Sequence, residues 1–261
     1  MFNIIEIDNF NFKNLFNNLS LEIKENTFYT ISGSNNCGKT TLMKILNNDI
    51  KGNFDNIKIF NKNINDFKID EYSKMVQTIF PTEILFFDNN LEDEIFYLST
   101  NTKEENEFIN FLIRNLKLKK VLRKDKTQLL KKEKILYQLL IALLNKPKLL
   151  LLDNIDKYFT KKELDNLFNF LKMYKEKYGL TLLITTINLE ISLYTDFIYI
   201  IEQGKIALNG TPFNVLQKDN TINKIGLSLP FMIDLSVKLR DYELVDELET
   251  DIDRMIDKLW N

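Results

Sequence analysis

Histidine is absent from the 261 residues and cysteine occurs once, at Cys37. The first absence removes imidazole metal ligands, histidine-dependent triads and every histidine general base before any site is considered. The second excludes an internal disulfide. No apolar run reaches the length of a membrane span, and the N-terminus, Met1-Phe2-Asn3-Ile4-Ile5-Glu6, lacks a basic segment followed by an apolar one. The chain is therefore expected to be soluble and to stay inside the cell. An excess of either charge is missing too: 35 Lys and Arg stand against 37 Asp and Glu, a net charge of −2. That balance gives no electrostatic reason to expect nucleic acid or an anionic membrane as a ligand. Glycine is scarce, with seven in the chain, so two of them at a fixed spacing within a motif are a poor candidate for chance.

Such a pair occurs in Gly33-Ser34-Asn35-Asn36-Cys37-Gly38-Lys39-Thr40, which fits the phosphate-binding pattern G-x-x-x-x-G-K-[ST] without a mismatch. The glycines let the backbone fold tightly so that successive N–H groups face an anion. Lys39 is expected to supply charge to the β and γ phosphates, and the Thr40 hydroxyl to ligate Mg²⁺. Cys37, inside this loop, reads as a small filler rather than a redox centre. The flanks agree with the motif: Phe28 to Ser32 reads as a buried strand and Thr41 to Leu46 as a helix.

With 44% hydrophobic residues the chain can bury a large core. Asn3 to Asp8 and Leu19 to Ile23 alternate apolar and polar, as half-buried antiparallel strands do. Ile57 to Phe60 and Met75 to Phe80 read as further strands, the second stopped by Pro81. From about residue 90 to 146 the pattern is helical. Asn90 can cap a short helix through Tyr97, Thr102 to Glu105 is a capping box, and Ile135, Leu136, Leu139, Leu140, Leu143 and Leu144 form a broad stripe ended by Pro147. Lys148-Leu149-Leu150-Leu151-Leu152-Asp153 then reads as a buried parallel strand with an acid at its tip, placed to hold Mg²⁺ beside the phosphate loop. A helix from Lys162 to Tyr178, strands at Leu180 to Thr185 and Phe197 to Ile201, and a hairpin at Glu202 to Lys205 complete an α/β P-loop core. Beyond Gly210, Pro230 separates two helices. The second, Asp241 to Trp260, carries Leu244, Val245, Leu248, Ile252, Met255, Ile256 and Leu259 at helical spacing, a pattern more often core than interface.

These residues resemble the ATP-binding cassettes of ABC transporters, and among them the ATPase subunits of energy-coupling factor importers for vitamins, cobalt or nickel. The resemblance covers the whole chain. It rests on Gly33 to Thr41 as the Walker A loop, on Leu149 to Asp153 as Walker B, on Gly204 to Pro212 after the last core strand, and, for the narrower group, on Leu91 to Ile95 and Ile225 to Phe231. It implies an ATP-binding domain over residues 1–212, a helical appendage over 213–261, ATP and Mg²⁺ as cofactors, and Gly33, Ser34, Asn35, Asn36, Cys37, Gly38, Lys39, Thr40 and Thr41 as nucleotide contacts. It implies as partners a second cassette and a transmembrane coupling subunit, which would hold the chain at the inner face of the membrane. Glu92, Asp93 and Glu94 are candidate acids for that subunit's arginines.

The departures from the family pattern concern catalysis. Asn154 replaces the glutamate that orients water, Ile187 replaces the switch histidine, and Leu129-Leu130-Lys131-Lys132-Glu133 replaces the Leu-Ser-Gly-Gly-Gln signature. The Q-loop glutamine falls at Phe80 or Pro81, with Gln77 off register, and the D-loop aspartate at Thr160. Losses of a general base or water-orienting group are each worth roughly 10²- to 10⁴-fold. The expectation is a heterodimer in which this chain binds ATP and turnover occurs on the partner's motifs. The alternatives are a catalytically silent nucleotide-binding scaffold or regulator and an unrelated P-loop enzyme.

Overall fold

The computed structural model describes residues 2–83, 91–99 and 102–260. Among the described residues, two sheets and three hydrophobic clusters organise the chain. β1 (Asn3–Phe12) and β2 (Phe16–Lys24) form a long antiparallel hairpin, and β4 (Ile57–Ile59) and β5 (Lys62–Asn63) extend it to a four-stranded layer in the order β2-β1-β4-β5. The hairpin continues four residues past Asp8 and begins at Phe16 rather than Leu19. Asn9 and Asn18 take positive φ and the register shifts between Ile7, Phe10 and Phe12, so the alternation breaks while the pairing continues.

The second sheet has the order β10-β9-β3-β8-β7-β6. β3 (Phe28–Gly33), β6 (Val76–Ile79), β7 (Leu149–Asp153), β8 (Thr181–Thr185) and β9 (Phe197–Glu202) run parallel, and β10 (Lys205–Gly210) returns antiparallel through a turn at Gln203 and Gly204. Both faces of the parallel strands are covered, which is why β7 is all leucine before its acid. Leu150 and Leu152 face the helices, while Leu149 and Leu151 face the antiparallel layer and the helix after the phosphate loop, α1 (Lys39–Leu46).

The stretch expected to be helical contains α3 (Leu91–Leu98), α4 (Lys103–Asn115) and α5 (Lys131–Leu144), following the short α2 (Ile69–Met75). Thr102 caps α4, its Oγ1 accepting from Glu105 N at 3.3 Å. Asn90, read as a cap, lies outside the described residues. α6 (Lys161–Tyr178) is capped by Thr160, the position read as the D-loop aspartate; the Thr160 hydroxyl accepts from Glu163 N, and the Glu163 carboxylate accepts from Thr160 N at 2.9 Å. The hydroxyl performs the capping an aspartate would perform.

After β10, α7 (Pro212–Leu216), α8 (Asp219–Lys224) and α9 (Phe231–Asp241) pack Val215, Leu216, Ile222, Ile233 and Val237 against Ile198 and Ile200 of β9. The expected helix from Asp241 to Trp260 is not continuous. α9 ends where Glu243 takes a φ of 59°, the chain folds back so that Ser236 Oγ donates to Glu249 O and accepts from Glu249 N, and only α10 (Ile252–Trp260) is helical. Asp251 restarts it, its carboxylate accepting from Arg254 N at 3.0 Å. The reading of the whole stripe as core fails with it: Val245 and Met255 are buried, but Leu244, Ile252, Ile256 and Leu259 are 41–59% exposed.

Candidate functional site: a phosphate loop beside a strand-end carboxylate

The loop from Gly33 to Thr41 leaves the C-terminal end of the central strand β3, where open α/β sheets present their ligand crevice. Its two glycines are required for different reasons. A Cβ on Gly33 would lie 2.3 Å from Ile201 O and 2.7 Å from Cys37 Sγ. Gly38 has a φ of 103°, and a Cβ there would lie 2.7 Å from the Phe16 ring, where β2 crosses the start of α1. Cys37 is buried, as a filler should be, with Sγ 3.5 Å from Lys39 Nζ. Lys39 is itself 6% exposed, and its Nζ donates to Gly33 O at 2.7 Å and Ser34 O at 2.8 Å. The ammonium is thus held inside its own loop by carbonyls.

Thr40 and Asp153 meet across 113 residues of sequence. The Thr40 hydroxyl lies 2.9 Å from Asp153 Oδ2 and 3.1 Å from Oδ1. Oδ1 also accepts from Thr185 Oγ1 at 2.5 Å and from Asn154 Nδ2 at 3.0 Å. Sequence reasoning missed Thr185, although β7 and β8 pair in parallel with Asp153 opposite Thr185. The parallel register supplies the contact, and a hydroxyl closing a buried apolar strand was the signal available. Among the described residues no group of three or more His, Cys, Asp or Glu could hold a metal ion. One carboxylate beside one hydroxyl nevertheless suits Mg²⁺, which is commonly held by one or two protein oxygens with phosphate and water completing its shell.

A cleft of about 510 Å³ runs over the loop, lined by Leu15, Asn35, Asn36, Gly38, Lys39, Thr40, Thr41, Asn154, Lys157 and Ile187. Asn154 and Ile187 are thus brought to the site with Lys39 and Thr40, as the sequence placed them. Asn154 takes a φ of 48°, which asparagine tolerates better than most residues, and its N–H donates to Thr185 O at 3.0 Å. Its amide faces Asp153, so it secures the acid. Ile187 is 41% exposed and carries no proton-transfer group. Nearby, burial pushes the Asp156 carboxyl up, against the opposing pull of a hydrogen bond with the buried Thr186 hydroxyl.

The other altered positions lie in firm contacts of their own. Phe80 and Pro81 are buried, and Gln77 donates its amide to Ser73 O. In the stretch standing for the signature, Glu133 accepts from Leu130 N at 2.9 Å and pairs with Lys124 at 2.6 Å. Lys132 pairs with Glu163 at 2.6 Å; this ion pair, with the Thr160 N–H, holds the Glu163 carboxyl down to about 2. Lys131 is exposed. Of the three acids after the β6 loop, Glu92 and Asp93 are exposed, but Glu94 is 3% exposed and its Oε2 has no hydrogen-bond partner among the described residues. Glu94 is therefore withdrawn from the surface role read for it.

A central parallel strand feeding a glycine loop and helix, with an acid at the tip of a nearby strand, is the core of a P-loop protein. The comparisons narrow the class. The chain is 25% identical over 240 residues to an energy-coupling factor transporter ATP-binding protein of Ligilactobacillus salivarius, covering 88% of this chain and 85% of the relative. It is 23% identical over 264 residues to one of Malacoplasma penetrans, covering 97% and 92%. Among solved structures, cbiO1 from Clostridium perfringens, described as part of the ABC transporter complex cbiONQ, matches with a TM-score of 0.72 over 87% of this chain and 96% of its own, at 21% identity. The profile of the ABC transporter family matches residues 16–156, more than half of the chain, from β2 to just beyond Asp153. The chain belongs to the ABC transporter family, and its fold is that of the ATP-binding cassette.

Proposed function

We propose that this chain is the ATP-binding subunit of an energy-coupling factor type importer, pairing head to tail with a second, different cassette and working through a transmembrane coupling subunit. The observation that carries the reading is the division of one site: Lys39, Thr40 and Asp153 are assembled around the phosphate loop, while Asn154 and Ile187 offer nothing that takes a proton. The names of the relatives support the transporter class. Residues 1–212 form the cassette in this reading and 213–261 its appendage. No helix among the described residues is long and apolar enough to cross a membrane, so in this reading the chain is cytoplasmic and reaches the membrane's inner face through its partner.

Mg²⁺, held through Thr40 and Asp153, supplies charge neutralisation for the phosphates when bound. The chain's own contribution is positional. Backbone N–H groups from Asn35 to Thr41 orient the phosphates, Lys39 exchanges loop carbonyls for phosphate oxygens, and Thr185 and Asn154 keep the Asp153 carboxylate aimed at Thr40. Turnover belongs to the partner's motifs, to which this chain presents Leu129 to Glu133. Purification of the tagged full-length chain from its own cells, with identification of bound proteins, tests the assignment. The expected companions are a second cassette and a multi-helix membrane protein; a chain isolated without either would overturn it.

A further inference from the structure

The motifs assign one cation to the phosphate cleft, Lys39, yet a second lines it. Lys157 sits in the short turn of 3-10 helix Asp156–Tyr158, which begins three residues after β7 ends at Asp153. It forms part of the cleft wall with Asn154 and Ile187, and the same three residues also line a neighbouring cavity of about 440 Å³ together with Gly226, Ser228, Leu229, Pro230 and Phe231 of the tail. Its Nζ lies 5.2 Å over the Tyr158 ring, and its charge acts on the adjacent Asp156 carboxyl, but among the described residues no carboxylate oxygen comes within 4 Å of it. Lys132, by contrast, is bound to Glu163 and Lys44 to Glu83, each at 2.6 Å. Lys157 is therefore a solvent-exposed cation in the cleft wall beside Asn154 and Ile187, on a side chain long enough to move.

We propose that Lys157 is a second phosphate-binding cation of this site, reaching the terminal phosphate of the nucleotide bound by its own chain. The reasoning is one of polarity along the cleft. Thr40 and Asp153 would hold a metal ion that neutralises phosphate charge, and the cleft that Thr40 lines is also walled by Asn154, Lys157 and Ile187. A γ-phosphate there meets an amide, an alkyl chain and one ammonium. With no carboxylate at position 154 to repel it and no imidazole at 187 to share it, that phosphate has in the cleft wall one ammonium besides Lys39, that of Lys157, whose neighbour Asp156 lines the adjoining cavity instead. The same residue that strengthens binding supplies no base, so the site retains triphosphate without turning it over.

The proposal rests on the nucleotide-binding reading above and is tested separately from it. ATP and ADP affinities are measured by direct titration with Mg²⁺ on the lone full-length chain and on its Lys157→Ala, Lys157→Arg and Lys39→Ala variants. Lys157→Ala is expected to weaken ATP roughly tenfold and ADP by less than about twofold, because a charge partner a few ångströms from one phosphate acts on that phosphate. Lys157→Arg is expected to keep ATP within about threefold of the wild type, since the charge is retained. Equal loss for ATP and ADP, or no loss for ATP, would overturn the assignment while leaving the nucleotide site standing. A wild-type chain that binds ATP no better than Lys39→Ala would remove the nucleotide reading and this inference with it.

Discussion

The two ends of the phosphate cleft differ in how much chemistry they retain. At the loop end, both glycines are fixed by space or φ, Lys39 is buried and doubly hydrogen-bonded, and Asp153 accepts from three side chains. At the far end stand Asn154, whose N–H groups donate to Asp153 and Thr185, an exposed isoleucine and Lys157, none of them a carboxylate or an imidazole. Anion binding needs donors and a cation, which the loop end supplies; water activation needs a group that takes or steers a proton, which the far end lacks. In the proposed reading, the difference makes binding and turnover separable within one cassette, because they draw on residues from different elements.

The contrast breaks most completely if the loop end is disabled. Lys39→Ala should reduce ATP affinity by on the order of 100-fold or more, since it removes the charge-assisted contact to the phosphates, with the far-UV circular dichroism spectrum unchanged. An affinity equal to that of the wild type in a direct titration would contradict the role given to the loop. Next in size is Asp153→Asn. It should weaken Mg²⁺-dependent ATP binding about tenfold and leave binding in excess chelator nearly unchanged, because the acid acts through the metal. A uniform loss in both conditions would assign Asp153 to structure alone, through the hydroxyls of Thr40 and Thr185 that it holds.

A smaller effect sharpens the far end. Asn154→Glu alone should leave phosphate release within about twofold of the wild type, since Ile187 and the Leu129 to Glu133 stretch are unchanged and the new carboxylate lacks a partner to position water. A tenfold gain would show that the amide alone had silenced the site. The smallest effect concerns the signature stretch. Glu163 has its carboxyl lowered by Lys132, so the stability it contributes is complete above the ordinary glutamate range and is lost as pH falls through about 2. A carboxyl titration by nuclear magnetic resonance should place Glu163 well below the exposed glutamates, and Lys132→Ala should return it toward them. No change in Lys132→Ala would mean that the Thr160 cap alone holds it down.

What the sequence made legible followed from locality. The phosphate loop is a contiguous pattern, and four leucines before Asp153 leave a buried strand as the consistent reading. Thr185 was not legible, because its contact is created by parallel pairing between strands separated by α6. Lys157 was missed for a related reason: a charged residue four positions past a strand end is ordinary until the cleft is seen. The tail was misread because apolar residues continue at three- and four-residue spacing through the non-helical turn at Glu243, where a positive φ without glycine gives no local warning. Asp251, a cap immediately before α10, was the signal that the helix restarts there. Glu94 shows the converse case: an acid in an acidic run reads as surface, and its 3% exposure comes from tertiary packing.

The central claim is that this chain binds ATP and does not turn it over by itself. Steady-state phosphate release by the purified lone chain, set against Lys39→Ala to subtract contaminating activity, tests it most directly. The account predicts saturable ATP binding with a release rate indistinguishable from that of the Lys39→Ala protein. Robust release by the wild type, abolished in Lys39→Ala, would contradict it and would mean that a residue other than Asn154 or Ile187 orients the attacking water.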